Sequence, residues 1–278
     1  MIRCVDSITP RSPPPPAPGA HLGVLLREWR AARRLSQLDL ALEAGVSARH
    51  LSCLETGKAQ PSHDMVVRLA EALGVPLRER NALLVAAGYA PRYRESALST
   101  PQLSLAHRAI QFILAQQEPY PAFVTNRYWD VVLTNRAMIR VLTRLRPSGP
   151  RHDNVLRQIF DPLDMRPVIG NWTEVAGDAI RHLQEVVAAA PSDSRARALL
   201  DEVLGYPDVP DRWRTREPGT TPLPLMTTVL RKDDVELRFF STLTTFATPH
   251  DVTLEELRIE CMFPADEPTA ALCRTLAG

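Results

Sequence analysis

Cysteine is scarce in this 278-residue sequence: there are four, and no two form a Cys-x-x-Cys pair. This spacing argues against both a structural zinc site and a disulfide framework. Long apolar runs are also missing, since no stretch approaches the roughly 18 residues that a membrane span needs. No secretory signal is apparent. We therefore expect a cytoplasmic protein with no cofactor, no bound metal and no membrane partner.

Net charge is small as well, at +1, but it is unevenly distributed along the chain. Residues 1–95 contain 13 Lys/Arg against 9 Asp/Glu, whereas residues 96–278 contain 20 against 23. The first third is therefore where a polyanion such as nucleic acid would bind. The length exceeds that of a usual single domain and predicts two domains, each with its own core.

Signs of catalysis are also missing. No serine or cysteine occupies a recognised nucleophile motif, and the histidines of residues 104–278 lack a metal-ligand spacing. The sequence therefore predicts that the protein is not an enzyme. These histidines are His107, His152, His182 and His250.

Composition divides the chain into four parts. The first 20 residues contain six prolines and predict a disordered or polyproline-like arm, 1–20. A helical domain, 21–90, follows, then a linker, 91–103, and a second domain, 104–278. The pattern of 21–90 is entirely helical, with no alternation typical of strands.

Within 21–90, the sequence predicts five short helices. Serines stand where three of them begin, and glycines stand where four of them end, as helix capping favours. The serines are Ser36, Ser47 and Ser62, and the glycines are Gly45, Gly57, Gly74 and Gly88.

The segment SQLDLALEAGVSARHLSCLETGKAQPSHDMVVRLAEALGV, residues 36–75, resembles the helix-turn-helix unit of the phage-repressor (Cro/CI, or XRE) family of transcription regulators. The shared features are the opening Ser-Gln, the Gly45-Val46-Ser47 turn, Glu55-x-Gly57 and Pro61-Ser62. The resemblance implies an all-α five-helix domain that binds a double-stranded DNA operator. Its third helix, Ser47 to Thr56, would lie in the major groove. A helical module that never contacts DNA is the weaker alternative, because the sequence meets both the core pattern and the turn chemistry.

In this geometry the first turn of the third helix faces the base edges. Arg49 is the best specificity candidate, because its guanidinium can bond bidentately to guanine O6 and N7. The resemblance implies a phosphate contact for Gln37, although the glutamine that it braces in some relatives is Ala48 here. Lys58 and Arg33 are further candidates for phosphate contacts. The predicted DNA-binding residues are Gln37, Ser47, Ala48, Arg49, Ser52, Cys53, Lys58 and Arg33.

Glu55 has a structural interpretation. An acid beside phosphates is unfavourable, and the resemblance implies that the matching residue pairs with an arginine one helix away, which is Arg30 in this chain. We therefore predict a structural Arg30–Glu55 ion pair rather than a DNA contact.

Residues 104–278 contain both the helical spacing of apolar residues and the alternation typical of strands. They predict an α+β domain with an antiparallel sheet. One hairpin joins Ala122–Thr125 to Trp129–Thr134, and a second joins Leu225–Arg231 to Val235–Phe246 across Asp233-Asp234. Leu257–Phe263 is a further strand. Helices are expected at Ser104–Gln117, Arg136–Leu145, Asn154–Phe160, Thr173–Ala190, Ser194–Gly205 and Glu267–Ala277, with a loop at Pro207–Pro224.

The segments EPYPAFVTNRYWDVVLTNRAM, NWTEVA and STLTTFATPHDVTLEELRIECMFPAD resemble the MmyB-like ligand-binding domain of bacterial XRE regulators. The resemblance implies a PAS-like fold that holds a small-molecule effector, with fatty-acid-like molecules as candidates. Aromatic and polar residues of these segments are the candidate ligand contacts, although core packing, helix capping and turn formation would explain the same residues. The candidates are Tyr120, Phe123, Asn126, Trp129, Asn135, Arg136, Trp172, Phe240, Thr244 and Phe246.

The leading hypothesis is a homodimeric transcription regulator, preferably a repressor, whose operator affinity responds to an effector. One alternative keeps the DNA-binding domain but limits the second domain to dimerisation or partner binding. Another is an antitoxin-type autoregulator that neutralises a partner protein, which the large second domain disfavours.

Overall fold

The computed structural model describes residues 18–190, 192–215 and 225–278. The chain divides into two compact units. One contains the residues up to Val75 together with Arg80–Arg92, and the other contains Pro76–Glu79 and Tyr93–Gly278. Within the described ranges no helix is long and apolar enough to cross a membrane, and no group of His, Cys, Asp or Glu could hold a metal ion. Residues 1–17 of the predicted arm and 216–224 of the predicted loop lie outside the described residues.

The first unit is built around five helices, as predicted, and local capping sets their ends. Side chains of Ser36, Ser47 and Ser62 accept bonds from backbone amides at the starts of the second, third and fourth helices. The glycines predicted at the helix ends all have positive φ, such as +64° at Gly45 and +87° at Gly88. The helices are α1 (Pro18–Ala32), α2 (Gln37–Glu43), α3 (Ala48–Glu55), α4 (His63–Ala72) and α5 (Leu77–Ala86).

Helix α1 begins earlier than the sequence pattern indicated. It starts at Pro18, so the last three residues of the predicted arm are helical, and proline is well suited to the first position of a helix. Its apolar face is buried, with Leu22, Leu26 and Trp29 each 1% exposed. Gly23 lies against α3: a Cβ there would be 2.5 Å from the backbone oxygen of Glu55. The close crossing of α1 and α3 therefore depends on a glycine that the sequence pattern did not single out.

The second unit combines helices with a five-stranded sheet, which confirms the predicted α+β class. Its strands are β1 (Ala122–Thr125), β2 (Val131–Thr134), β3 (Thr227–Lys232), β4 (Val235–Thr244) and β5 (Arg258–Pro264). Its helices are α6 (Ser104–Gln116), α7 (Arg136–Leu145), α8 (Val155–Phe160), α9 (Trp172–Ala189), α10 (Ser194–Leu204), α11 (Val252–Glu256) and α12 (Glu267–Ala277). Short 3₁₀ helices are Pro101–Leu103, Arg166–Val168 and Asp211–Arg214.

The sheet has the order β2-β1-β5-β4-β3, and all of its neighbouring strands are antiparallel. Both predicted hairpins form. The last strand in sequence, β5, lies in the centre, between β1 and β4. One face of the sheet packs on a core that includes α7 and α12, with Phe123, Phe239 and Met262 buried there. The other face packs on α6, where Ile110 and Leu114 are buried. The two faces therefore belong to different cores.

Candidate functional sites

The predicted recognition helix, α3, presents a free surface at its first turn. Ser47 caps the helix, since its hydroxyl accepts a hydrogen bond from the backbone amide of His50 at 3.1 Å. The Arg49 side chain is exposed and forms no hydrogen bond or ion pair with any residue that the structure describes. Ala48, Ser52 and Cys53 are partly exposed, and Lys58 is exposed. Contact of these side chains with DNA stays a prediction, but their exposure permits it.

The predicted Arg30–Glu55 ion pair is confirmed. The Arg30 guanidinium bonds Glu55 through two nitrogens, at 2.7 and 3.0 Å, and the Glu55 side chain is 1% exposed. The bond to Glu55 raises the pKa of Arg30. Gln37 donates its side-chain amide to the same carboxylate at 2.7 Å. One buried carboxylate thus links α1, the start of α2 and the end of α3, while the phosphate contact of Gln37 stays a prediction.

Arg33 has a structural role in this arrangement. Its guanidinium donates to the backbone oxygens of Leu73 at 2.9 Å and Gly74 at 3.2 Å, where α4 ends, and it lies over the Trp29 ring. These carbonyls lack partners within their own helix, so Arg33 satisfies them. Its predicted phosphate contact is not tested by this geometry and stays a prediction.

The second unit contains a cavity of about 360 Å³ between one face of the sheet and helices α7, α8 and α9. This volume lies within the range of roughly 300–1,000 Å³ usual for small-molecule pockets. Helix α9 contributes a stripe at helical spacing, formed by Val175, Asp178, Ala179 and His182. Most of the remaining wall is aliphatic or thioether side chains, among them Met138, Leu142, Ile159, Met165, Ile169 and Met226.

Two of the predicted ligand contacts, Phe123 and Trp129, line this cavity. Phe123 belongs to β1. Trp129 lies in the turn that follows β1. Its backbone is in the left-handed region, with φ of +61°, which is unusual for a bulky residue. Its ring contacts His182 edge-on, with centroids 5.6 Å apart. Backbone strain of this kind tends to occur at functional sites, and here it accompanies an indole in the cavity wall.

The two asparagines near β1 form structural hydrogen bonds instead. Asn126 accepts bonds from the backbone amides of Tyr128 at 2.8 Å and Asp130 at 3.0 Å, and so shapes the turn. Asn135 is buried and caps α7, accepting from the amides of Met138 at 2.9 Å and Ala122 at 3.0 Å. Neither asparagine lines the cavity, in agreement with the capping and turn interpretation.

The other predicted contacts also lie away from the cavity lining. Strand residues alternate between faces, so Phe240 and Thr244 of β4 lie on the face opposite Phe239. Phe240 stacks on Phe263, with ring centroids 5.5 Å apart, and Phe246 packs on the α6 core. The remaining residues have other surroundings: Arg136 is exposed, Tyr120 packs on the core of α7 and α12, and the Trp172 indole donates to the Ile159 oxygen at 2.8 Å.

The polar residues of the cavity were missed, among them Arg258 and Glu260 of β5 and Ser241 of β4. Burial raises the pKa of Glu260, and the Ser241 hydroxyl partly opposes that rise. Burial, with help from the charge of Arg127, lowers the pKa of Arg258. A signal was present in the sequence, since two charged residues at positions i and i+2 of an otherwise apolar strand share a face with Met262. Only the placement of β5 shows that this face is interior.

Comparison with known proteins covers both units. The family model of the MmyB-like transcription regulator ligand binding domain matches residues 106–276, and that of a helix-turn-helix domain matches residues 21–83. The solved restriction-modification controller protein C.AhdI from Aeromonas hydrophila is 34% identical over 22% of this chain and 94% of its own, with a TM-score of 0.22. The clp gene regulator ClgR from C. glutamicum is 30% identical over 27% of this chain and 92% of its own, with a TM-score of 0.24. No curated protein sequence matches the chain.

Proposed function

Because the chain belongs to the transcription regulators that join a helix-turn-helix DNA-binding domain to a MmyB-like ligand-binding domain, we propose that it is an effector-controlled repressor. In this proposal a homodimer binds a two-fold symmetric operator through α3 of each subunit. A small, largely apolar effector occupies the cavity of the second unit and weakens operator binding. The observation that carries the sensing role is the apolar cavity itself.

The exposed start of α3 supports the DNA-binding part of the proposal. Arg49 has no described partner within the chain, so its guanidinium is available for a base edge. Behind it, the Arg30–Glu55–Gln37 cluster fixes α3 relative to α1 and α2. A preorganised recognition helix loses little conformational entropy on binding. The geometry therefore favours Arg49 as the residue that reads sequence.

Changing Arg49→Ala tests this role. An operator would first be selected from random DNA with the native protein, and every base pair would then be substituted in turn. We expect the variant to lose roughly 1–3 kcal/mol of discrimination at one base pair in each half-site, since one bidentate contact is removed. Fluorescence anisotropy with the substituted operators measures this.

The matched control is Arg68→Ala, which removes the same charge from the exposed side of α4. This control should leave the base preference at every position unchanged. Equal losses of Arg49→Ala on the operator and on random DNA would contradict a specificity role for Arg49.

The cavity supports the sensing part of the proposal. Its wall is mostly apolar and it has a few polar groups, a combination typical of small-molecule sites. A lipid-like molecule such as the predicted fatty-acid-like effector matches the apolar part of this wall. The effector can change operator affinity only by the difference between its affinities for the DNA-bound and free forms of the protein.

A further inference from the structure

Two groups of opposite charge face the cavity from the same strand without pairing. Arg258 and Glu260 are successive residues on one face of β5 and both are partly buried. Same-face neighbours on a strand are roughly 6.6 Å apart along the chain. Among the described residues, no ion pair joins the two side chains to each other. Both side chains line the cavity.

Neither group forms an ion pair within the described structure, although the nearby charge of Glu256 favours the charged form of Arg258. The Arg258 guanidinium donates one bond, to the backbone oxygen of Glu256 at 3.2 Å. The Glu256 carboxylate itself pairs with Arg78, at 2.7 and 3.0 Å, and with Arg127 at 3.2 Å. Glu260 has only the hydroxyl of Ser241 to favour its charged form, and no cation of the described residues pairs with it. This wall of the cavity therefore contains one acid and one base that lack an ion-pair partner among the described residues.

Such an arrangement is costly unless a ligand completes it. Burial disfavours the charged form of an isolated acid or base, which is why the pKa of Glu260 rises and that of Arg258 falls. A ligand with one charge satisfies one of these groups and leaves the other unpaired in an apolar wall. A ligand with both charges satisfies both, through charge-assisted bonds of roughly 2.7–2.9 Å on either side.

We propose that the effector is a zwitterion with an apolar body, in which an amine pairs with Glu260 and an adjacent carboxylate pairs with Arg258. This is the head-group chemistry of an α-amino acid, attached to an aliphatic or aromatic chain that fills the rest of the cavity. The inference rests on the proposed small-molecule function and narrows its effector class. A simple fatty acid would match Arg258 but leave Glu260 without a partner.

Other ionisable groups at the cavity do not supply this recognition. Asp178 lines the cavity from α9, but its carboxylate is paired with Arg181 at 2.7 Å. His182 lies on the same helix, and its ring is perpendicular to that of Trp129, with the centroids 5.6 Å apart. A charged head group would thus bind at the sheet, beside Arg258 and Glu260, and α9 forms another wall of the cavity.

Three probes of equal chain length test the inference: 2-aminodecanoic acid, decanoic acid and decylamine. Each is titrated into the full-length protein near neutral pH, and binding is measured by isothermal titration calorimetry. We expect the amino acid to bind about tenfold or more tightly than either single-charge probe, which corresponds to about 1.4 kcal/mol.

Two variants that each remove one charge make the test site-specific. Glu260→Gln should weaken 2-aminodecanoic acid and decylamine but not decanoic acid, and Arg258→Gln should weaken 2-aminodecanoic acid and decanoic acid but not decylamine. Asp201→Asn, which changes an exposed carboxylate of α10 away from the cavity lining, is the control, and it should leave all three affinities unchanged. Circular dichroism verifies that each variant is folded before its affinities are compared.

The outcomes separate this inference from the proposed function. If decanoic acid or decylamine binds as tightly as 2-aminodecanoic acid, or if the two variants do not show the crossed pattern, the zwitterion is wrong while a small-molecule cavity stands. If no probe binds, both the inference and the apolar-effector proposal are overturned.

Discussion

Glu260 is a single residue whose buried carboxyl lowers the stability of the folded state near neutral pH. It lies in the cavity wall without a cationic partner among the described residues, and burial raises its pKa above the ordinary value of 4.5. Below that value the carboxyl is protonated in both the folded and unfolded chain, so burial costs nothing extra. As pH rises, the unfolded chain ionises freely while the folded chain resists ionisation, and stability is lost.

We therefore expect Glu260→Gln to raise the free energy of unfolding by an amount that depends on pH. The variant should match the native protein near pH 4 and exceed it in free energy of unfolding near neutral pH, because glutamine never ionises. Urea denaturation at the two pH values measures the difference. A variant that is less stable than the native protein near neutral pH would contradict this account.

Glu236→Gln supplies the control of opposite sign. Arg231 and Arg238 hydrogen-bond Glu236 and lower its pKa, so its ionised form stabilises the fold. That contribution is present above the unfolded pKa and is lost as pH falls through the lowered folded pKa. The Gln variant should therefore lose stability near neutral pH and approach the native protein in acid.

Among the elements, the crossing of α1 and α3 depends most on one small side chain. Gly23 has the oxygens of Leu54 and Glu55 within 2.8 Å of where a Cβ would stand. Those atoms belong to backbone, so they can move only if α3 moves. The same helix carries Arg49, and the position of the recognition helix thus depends on a residue outside it.

Gly23→Ala should loosen this crossing. We expect a loss of about 1–3 kcal/mol, the usual cost of overpacking, even though alanine favours helix formation more than glycine does. Hydrogen–deuterium exchange of peptides from α1 and α3 measures it locally. Gly205→Ala, where the nearest oxygen is 3.3 Å from the added Cβ and φ is −89°, is the control and should change exchange little. Unchanged protection in α3 of Gly23→Ala would contradict the steric argument.

For the whole molecule, the proposal requires both a dimer and an occupied cavity. Native mass spectrometry of the purified full-length protein should show a dimer that carries an added mass, which organic extraction removes. Ala179→Trp, on the cavity wall of α9, should remove the added mass and leave the dimer intact, because the larger side chain fills the cavity.

A monomer would contradict the homodimer. An added mass that survives in Ala179→Trp would place the bound molecule somewhere other than this cavity. These two readouts are independent, so the DNA-binding mode and the sensing role are tested separately.

What the sequence determined by itself was mainly local. Caps such as Ser47 and helix ends such as Gly45 are set by hydrogen bonds and dihedral angles within a few residues, so the five helices and the ends of α7 and α12 were predictable. The Arg30–Glu55 pair followed from the helix-turn-helix resemblance, and both hairpins followed from alternation and their turns.

Only the tertiary structure decided which side chains meet in the cavity. Strand alternation divides each strand into two faces, but it does not say which face is interior until the sheet order is known. The central position of β5 brings Arg258 and Glu260 to the cavity, and the same order places Phe240 and Thr244 on the opposite face. Gly23 was missed for a similar reason, because its contact is with α3, more than 30 residues along the chain. The residues around a position do not show which distant segment packs against it.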